Sequence, residues 1–160
     1  MKVSCLHFAF SLGILGFVAC PGTAAAFSRT TNPWTVSVGL GDPAPSLIGV
    51  SLAYQSNESL QWRGGTGFFS WDDLQIQSFG ASARVHVLPT RLTPLFGGGL
   101  DLLVFRGSGN LQGLGETTLL GSLTAGLDWA ITDNLRTAAG FTFHFPLRLN
   151  FPFFEIGFMF

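Results

Sequence analysis

Few side chains in this sequence have the type and spacing that metal or phosphate chemistry requires. The histidines are His7, His86 and His144, and neither His86 nor His144 has a second ligand two or four residues away on its own face. The glycine run 97-99 is followed by neither a helix signal nor a lysine, so it does not match a phosphate-binding loop. We therefore predict no metal site and no cofactor.

Four charged residues have a spacing that favours ion pairing. Asp128 and Arg136 flank the short segment 132-134, and Arg84 and Asp101 flank the segment 89-93. If each flank is an antiparallel strand, counting back from the turn places the two members of each pair close together on the inner face. Because buried charges must be paired, we predict the interior ion pairs Asp128 with Arg136 and Arg84 with Asp101, in a structural role.

The composition narrows the classes of protein. Apolar residues make up 47% of the 160 positions and charged residues only 11%, against a usual value of about 25%. Eight basic and nine acidic side chains nearly balance, so no nucleic-acid partner is predicted. With 21 glycines and 17 phenylalanines, the chain favours β-structure with tight turns over helices.

The first 26 residues have the pattern of a secretory signal peptide. Lys2 is followed by the uncharged apolar run 5-19 and by the small residues Ala24, Ala25 and Ala26, which together predict export and cleavage after Ala26. The alternative of a permanent membrane anchor is weaker, because a run of about 15 residues is shorter than the roughly 20 needed to span. We predict a signal peptide over 1-26 and one domain over 27-160.

A second alternative concerns the cysteines. Cys20 follows Phe17-Val18-Ala19, and these four residues loosely resemble a bacterial lipoprotein box. Lipidation at Cys20 is therefore an alternative that ranks second to cleavage after Ala26. If cleavage follows Ala26, Cys5 and Cys20 are both removed. The mature protein then has no cysteine for a disulfide, a metal site or nucleophilic catalysis.

Beyond residue 26, apolar and small or polar residues alternate with a period of two. In WTVSVGLG, for example, Trp34, Val36 and Val38 fall on one face and Thr35 and Ser37 on the other. The same pattern predicts eight strands, at about 33-41, 46-55, 59-70, 74-88, 94-105, 117-130, 135-145 and 150-160. On the fifth strand the alternation allows either set of residues to face inward. The charge of Asp101 favours the inner position for Asp101 and for Leu95, Gly97, Gly99 and Leu103, which share its face.

The connections predict an up-and-down order of strands. Segments 56-58, 89-93 and 132-134 are compact turns, and 106-116 is a longer glycine-rich loop. Both ends of the domain then lie on the side of the compact turns, which in an outer membrane is the periplasmic side.

The second face of the strands decides the class of fold. It is mostly Gly, Ser, Thr and Ala with a few isolated charges, which is a poor surface for a soluble protein but suits the interior of a narrow barrel in lipid. With no water in the hydrocarbon region, such a sheet must close. We predict an all-β fold, an eight-stranded antiparallel up-and-down transmembrane β-barrel after an N-terminal signal peptide. A soluble lipocalin-like barrel is the alternative.

The chain ends in FPFFEIGFMF, in which Ile156, Phe158 and Phe160 share one face. This ending resembles the bacterial outer-membrane β-barrel families, whose last strand ends in an aromatic residue. TPLFGGGLDL and GLDWAITDNLRTAAGF are similar to segments of the small OmpA-like and opacity-protein-like barrels, although Leu95 stands where that family usually has an aromatic residue. The resemblance implies an outer-membrane location, lipid as a partner, and recognition of Ile156, Phe158 and Phe160 by the barrel-assembly machinery.

The resemblance also raises the possibility of a lipid-modifying enzyme. His144 and Glu155 are predicted to face inward near the outer end, as in the outer-membrane lipid A deacylases, which place a serine two residues after the histidine. Here that position is Pro146, so no catalytic residue is predicted and the protein is not expected to be an enzyme.

Aromatic residues near the predicted strand ends could anchor the barrel. Trp34, Trp71 and Trp129 fit the lipid-water boundary, whereas we predict no anchoring role for Trp62. The function expected from the sequence is a structural, adhesive or membrane-stabilising barrel. The main alternative is a narrow channel for water, ions or small solutes, and the sequence names no ligand.

Overall fold

The computed structural model describes residues 27-43, 46-72, 74-107 and 117-160. No helix within these ranges is long and apolar enough to cross a membrane. The predicted signal peptide 1-26 and most of the predicted loop 106-116 lie outside the described residues.

Eight β-strands account for most of the described chain, and each predicted strand is confirmed with bounds that differ by no more than two residues. They are β1 Trp34–Leu40, β2 Ile48–Gln55, β3 Leu60–Trp71, β4 Leu74–His86, β5 Leu92–Gly107, β6 Thr117–Ala130, β7 Leu135–Phe145 and β8 Leu149–Met159.

The strands form one closed antiparallel barrel in which each strand pairs with its neighbours in sequence. β1 closes the barrel against β8, with Val38 opposite Ile156. Because every strand has two partners, no row of backbone N–H and C=O groups is left at an open edge.

The two ends of the barrel differ in what they carry. The turns 56-59, 87-91 and 131-134 lie at one end, together with Phe160, whose N–H donates to Trp34 O at 2.9 Å. We call this the terminal end. The connections that follow β1, β3 and β7 lie at the opposite end, with described residues 41-43, 46-47, 72 and 146-148. We call this the loop end.

The alternation of side chains follows the predicted faces. Val38 is 54% exposed on the outside, whereas its neighbour Ser37 is 3% exposed inside. β5 takes the predicted phase, with Leu95, Asp101 and Leu103 all buried. The exterior is therefore apolar and the interior small or charged, which is the reverse of a soluble barrel.

Two small apolar clusters lie inside the barrel. Ile76, Leu103 and Leu120 pack together near the loop end, and a second cluster is formed by Leu95, Ala138 and Phe153. Most of the remaining buried side chains are polar or charged, and they form the candidate site.

Candidate functional site

Ten ionisable side chains meet inside the described part of the barrel. Four are arginines, four are carboxylates and two are histidines, so the formal charges cancel when both histidines are neutral. They are Arg29, Arg63, Arg84, Arg136, Asp42, Asp101, Asp128, Glu155, His86 and His144.

The cluster nearest the terminal end is centred on Asp128, whose side chain is fully buried. The register of β6 and β7 places Ala130 opposite Arg136 and Asp128 opposite Ala138, so the charged residues are diagonal neighbours on one face. Arg136 Nη2 donates to Asp128 Oδ2. Arg29 Nη1 lies 3.3 Å from Asp128 Oδ1, and His86 Nε2 lies 3.2 Å from Oδ2.

The second cluster is centred on Glu155 of β8. Its Oε1 accepts a hydrogen bond from Arg84 Nη1 at 2.8 Å, and its Oε2 lies 2.7 Å from Arg63 Nη2. The same two guanidinium groups donate to Asp42 Oδ2. Arg136 Nη2 lies 3.6 Å from Glu155 Oε1, so Arg136 joins this cluster to Asp128.

A separate pair lies on β5 and β7. His144 Nε2 is 3.2 Å from Asp101 Oδ2, and the hydroxyls of Thr124 and Thr142 are 3.3 Å apart on the neighbouring inner positions. His144 Nδ1 is buried without a hydrogen-bond partner.

The structure brings Asp128 and Arg136 together, but it corrects the expected pairing of Arg84 with Asp101. Asp101 lies opposite Gly80, four residues from Arg84 along β4, which is about 13 Å at the usual strand rise. Arg84 instead pairs with Asp42 and Glu155 because closure of the barrel brings β8 and the 41-47 connection across the interior.

The expectation that His144 and Glu155 both lie near the outer end is also corrected, for Glu155. His144 lies opposite Leu149, whereas Glu155 lies opposite Ala138, six residues further along β8. The two side chains have different partners, and the position two residues after His144 is Pro146, which has no nucleophilic atom. Within the described ranges, no group of three His, Cys, Asp or Glu side chains could hold a metal ion.

Three of these ten side chains, which together form a buried charge network, were not predicted from the sequence. Arg63 shares an inner face with Gln61. Its position between the outward-facing residues Trp62 and Gly64 could have indicated that this charge points into the barrel. Asp42 and Arg29 lie outside the strands, where no periodicity predicts the direction of a side chain.

The segment 27-33 crosses the terminal end and contacts all three of its turns. We call this segment the N-terminal strap. Arg29 Nη2 donates to Thr90 O at 3.0 Å, Asn32 Nδ2 donates to Asp133 O at 3.0 Å, and the strap also binds Glu58. The guanidinium groups of Arg29 and Arg91 lie 5.4 and 5.0 Å from the Phe27 ring centre.

Glu58 in the β2-β3 turn is the main acceptor for the strap. Ser28 Oγ donates to Glu58 Oε1 at 2.6 Å, and Arg29 N donates to Oε2 at 3.0 Å. The Ser28 hydrogen bond, with those from Arg29 N and Thr30 Oγ1, holds the pKa of Glu58 below its usual value. Burial lowers the pKa of the Arg29 guanidinium.

The predicted anchor residues all lie on the outer face. Trp34 and Trp129 are near the terminal end and Trp71 is the last residue of β3 at the loop end. Trp62 also faces outward near the terminal end, opposite Tyr54 in register, and the Tyr54 ring centre lies 4.9 Å from that of Trp34.

The three residues of the predicted assembly signal share the outer face as well. Ile156, Phe158 and Phe160 are all about half exposed. Their recognition by the assembly machinery stays a prediction.

Comparison with known proteins identifies the class of fold. No protein-family model and no curated protein matches the sequence. Among solved structures, the chain is similar to the N-terminal β-barrel domain of Pseudomonas aeruginosa OprF, with a TM-score of 0.67, 18% identity, and coverage of 81% of this chain and 98% of that one.

Two further structures have the same architecture. Neisserial surface protein A aligns with a TM-score of 0.52 and 15% identity over 79% of this chain and 88% of that one. A de novo designed transmembrane β-barrel aligns with a TM-score of 0.50 and 16% identity over 81% and 96% of the two chains. At these identities the likeness shows the fold, which is that of the small eight-stranded transmembrane β-barrels.

Proposed function

We propose that this protein is an integral barrel of the bacterial outer membrane with a structural, membrane-stabilising role and a closed interior. Lipid surrounds its apolar face, and the barrel-assembly machinery inserts it after export with a cleaved signal peptide. The apolar exterior supports the location, because a soluble protein would expose that surface to water. We propose no enzymatic role, because the position two residues after His144 is Pro146, which has no nucleophilic atom.

The main observation that supports a closed interior is a series of linked ion pairs along the barrel. It runs from Asp42 through Arg84 and Glu155, and from there through Arg136 to Asp128 and Arg29. Each charge has its partner within the protein, so ions in transit would have to break buried pairs, which is costly. Eight-stranded barrels also have an interior just wide enough for side chains to fill.

Conductance of the purified protein in planar lipid bilayers tests this proposal. We expect no stepwise currents above those of the bare membrane in concentrated potassium chloride. Flotation of the same preparation with lipid vesicles provides the control that the protein has inserted. Reproducible single-channel steps that scale with the amount of inserted protein would contradict the closed interior and favour the narrow channel.

An adhesive role would depend on the segments at the loop end.

A further inference from the structure

The two guanidinium groups of Arg63 and Arg84 converge on one carboxylate oxygen. They come from neighbouring strands and both donate to Asp42 Oδ2. Arg63 is 8% exposed and Arg84 1% exposed, and Arg63 Nε also donates to Ser51 Oγ at 2.8 Å. Arg84 Nε is buried without a hydrogen-bond partner. Each guanidinium donates through one nitrogen to this oxygen, so two buried cations share one carboxylate here, and such charge-assisted hydrogen bonds are stronger than neutral ones.

The carboxylate that fills this position comes from a connection and not from a strand. Asp101, Asp128 and Glu155 all project from strands of the barrel wall, whereas Asp42 lies just after β1 in the 41-47 connection. Its side chain is 16% exposed, so this position is nearer to solvent than the rest of the network. The carboxylate of Asp42 therefore enters the interior from the loop end.

The barrel wall is shaped to receive that connection. A Cβ atom added to Gly80 would lie closest to Asp101 Oδ1 and 2.8 Å from Pro43 Cβ, and one added to Gly65 would lie 3.3 Å from Pro43 Cδ. Ser78 Oγ donates to Pro43 O at 3.1 Å. A larger residue at Gly80 would therefore crowd both the Asp101 carboxylate and the Pro43 ring.

The charges require an anion at this position. Without Asp42, Arg63 and Arg84 would share only Glu155, which also lies near Arg136. One buried cation would then lack a counter-charge, a costly arrangement in a low-dielectric interior. A small cavity of about 10 Å³ adjoins the position, and Asp42, Arg63 and Gly80 are among the residues that line it.

We propose that Arg63 and Arg84 form a carboxylate-binding site in the interior, and that Asp42 is its tethered ligand. A small free monocarboxylate can take the place of the Asp42 side chain when that side chain is removed. In the intact protein the tether gives Asp42 a high effective concentration, of millimolar order or more, so a free carboxylate below that concentration does not displace it.

Chemical rescue by formate tests the site. The full-length mature protein, refolded in detergent, is compared as wild type, Asp42→Ala and Asp42→Asn. Formate replaces gluconate, a bulkier carboxylate, at constant ionic strength, and thermal unfolding is followed by circular dichroism. We expect formate to raise the melting temperature of Asp42→Ala in a saturable way and to recover most of the loss relative to wild type.

Two variants control for charge and for space. Asp42→Asn removes the same charge but fills the same volume, so formate should leave its melting temperature unchanged. Asp133→Ala removes a carboxylate whose side chain is 73% exposed in its pair with Arg91, and it should not respond either. In the double variant Asp42→Ala with Arg63→Gln, which has one cation fewer, the formate effect should be lost.

The outcomes separate the proposal from a general salt effect. An equal formate response in wild type, Asp42→Asn or Asp133→Ala would overturn the proposal, as would the absence of any response in Asp42→Ala. If Asp42→Ala folds only when formate is present, the site is supported directly. If it fails to fold at every formate concentration, the proposal is wrong, because a site open to a free carboxylate would have been filled.

Discussion

Arg29 lies 3.3 Å from Asp128 between Nη1 and Oδ1, although 99 residues separate them in the chain. Arg29 belongs to the N-terminal strap and Asp128 to β6, so this contact connects the segment across the terminal end to the buried charge network. The carboxylate of Asp128 therefore has three cationic or hydrogen-bonding neighbours, the other two being Arg136 and His86.

The first prediction concerns the link between the two clusters. Arg136→Ala should lower the free energy of unfolding by about 3-5 kcal/mol, since it leaves the buried interior with an uncompensated negative charge. Asp128→Ala with Arg136→Ala should be milder, because the charges balance again. Unfolding of the detergent-solubilised protein by heat or denaturant measures both.

Arg91→Ala is the matched control for that experiment. Arg91 pairs with Asp133 at the surface, where an ion pair contributes only about 0-1 kcal/mol. Equal stability of the Arg136 single variant and the double variant would show that the buried pair does not act as described.

The second prediction is a pH dependence of the N-terminal strap. Hydrogen bonds to the ionised form hold the pKa of Glu58 below its usual value. The stability that ionised Glu58 gives to the docked strap is therefore fully present above the unfolded pKa of about 4.3. It is lost as the pH falls through the folded value. We expect the amide signals of Ser28, Arg29 and Thr30 to shift together with a midpoint below that pKa in NMR spectra recorded in detergent.

Glu58→Gln tests the cause of that transition. The amide of glutamine does not titrate, so the coordinated shift of the strap signals should disappear. If the strap signals of the Glu58→Gln protein still titrate with the same midpoint, another group controls the strap.

The third prediction separates assembly from stability at Phe160. Its side chain is on the outer face beside Trp34, and its loss removes only about 1.5-3 kcal/mol of apolar burial, which a closed barrel tolerates. Deletion of Phe160 should therefore reduce the protein recovered in the outer membrane of cells, while refolding into detergent or lipid in vitro proceeds.

Phe154→Ala provides the comparison, because Phe154 lies on the same outer face of β8 and is about as exposed, yet is not terminal. It should insert normally in cells. Normal insertion of the Phe160 deletion would remove the assembly-signal hypothesis and leave Phe160 as an ordinary outer-face residue.

The fourth prediction concerns maturation and location. Cleavage after Ala26 should yield a mature chain that begins at Phe27, is recovered with outer membranes and resists extraction by carbonate. Intact-mass measurement distinguishes this outcome from lipidation, which would keep Cys20 with added acyl chains. Cys20→Ser should leave the mature mass and location unchanged, and recovery in the soluble periplasm would contradict the membrane location.

The strands and their faces could be predicted from the sequence because the period of two is a local property of each segment. Asp101, for example, was enough to decide the inner face of β5, and Trp34, Val36 and Val38 marked the outer face of β1. The proximity of Asp128 and Arg136 was predictable for a similar reason, since a short turn determines which residues of its two strands lie near one another.

The partners of Arg84 were decided only by the tertiary structure. Asp42 and Glu155 are distant from it in sequence, and they reach it because closure of the sheet turns every inner face toward one narrow interior. Arg29 and Asp42 lie outside the strands, where no alternation predicts the direction of a side chain. Local periodicity therefore determined whether each strand residue faces the interior or the lipid. Closure of the barrel decided which charged residues meet in the interior.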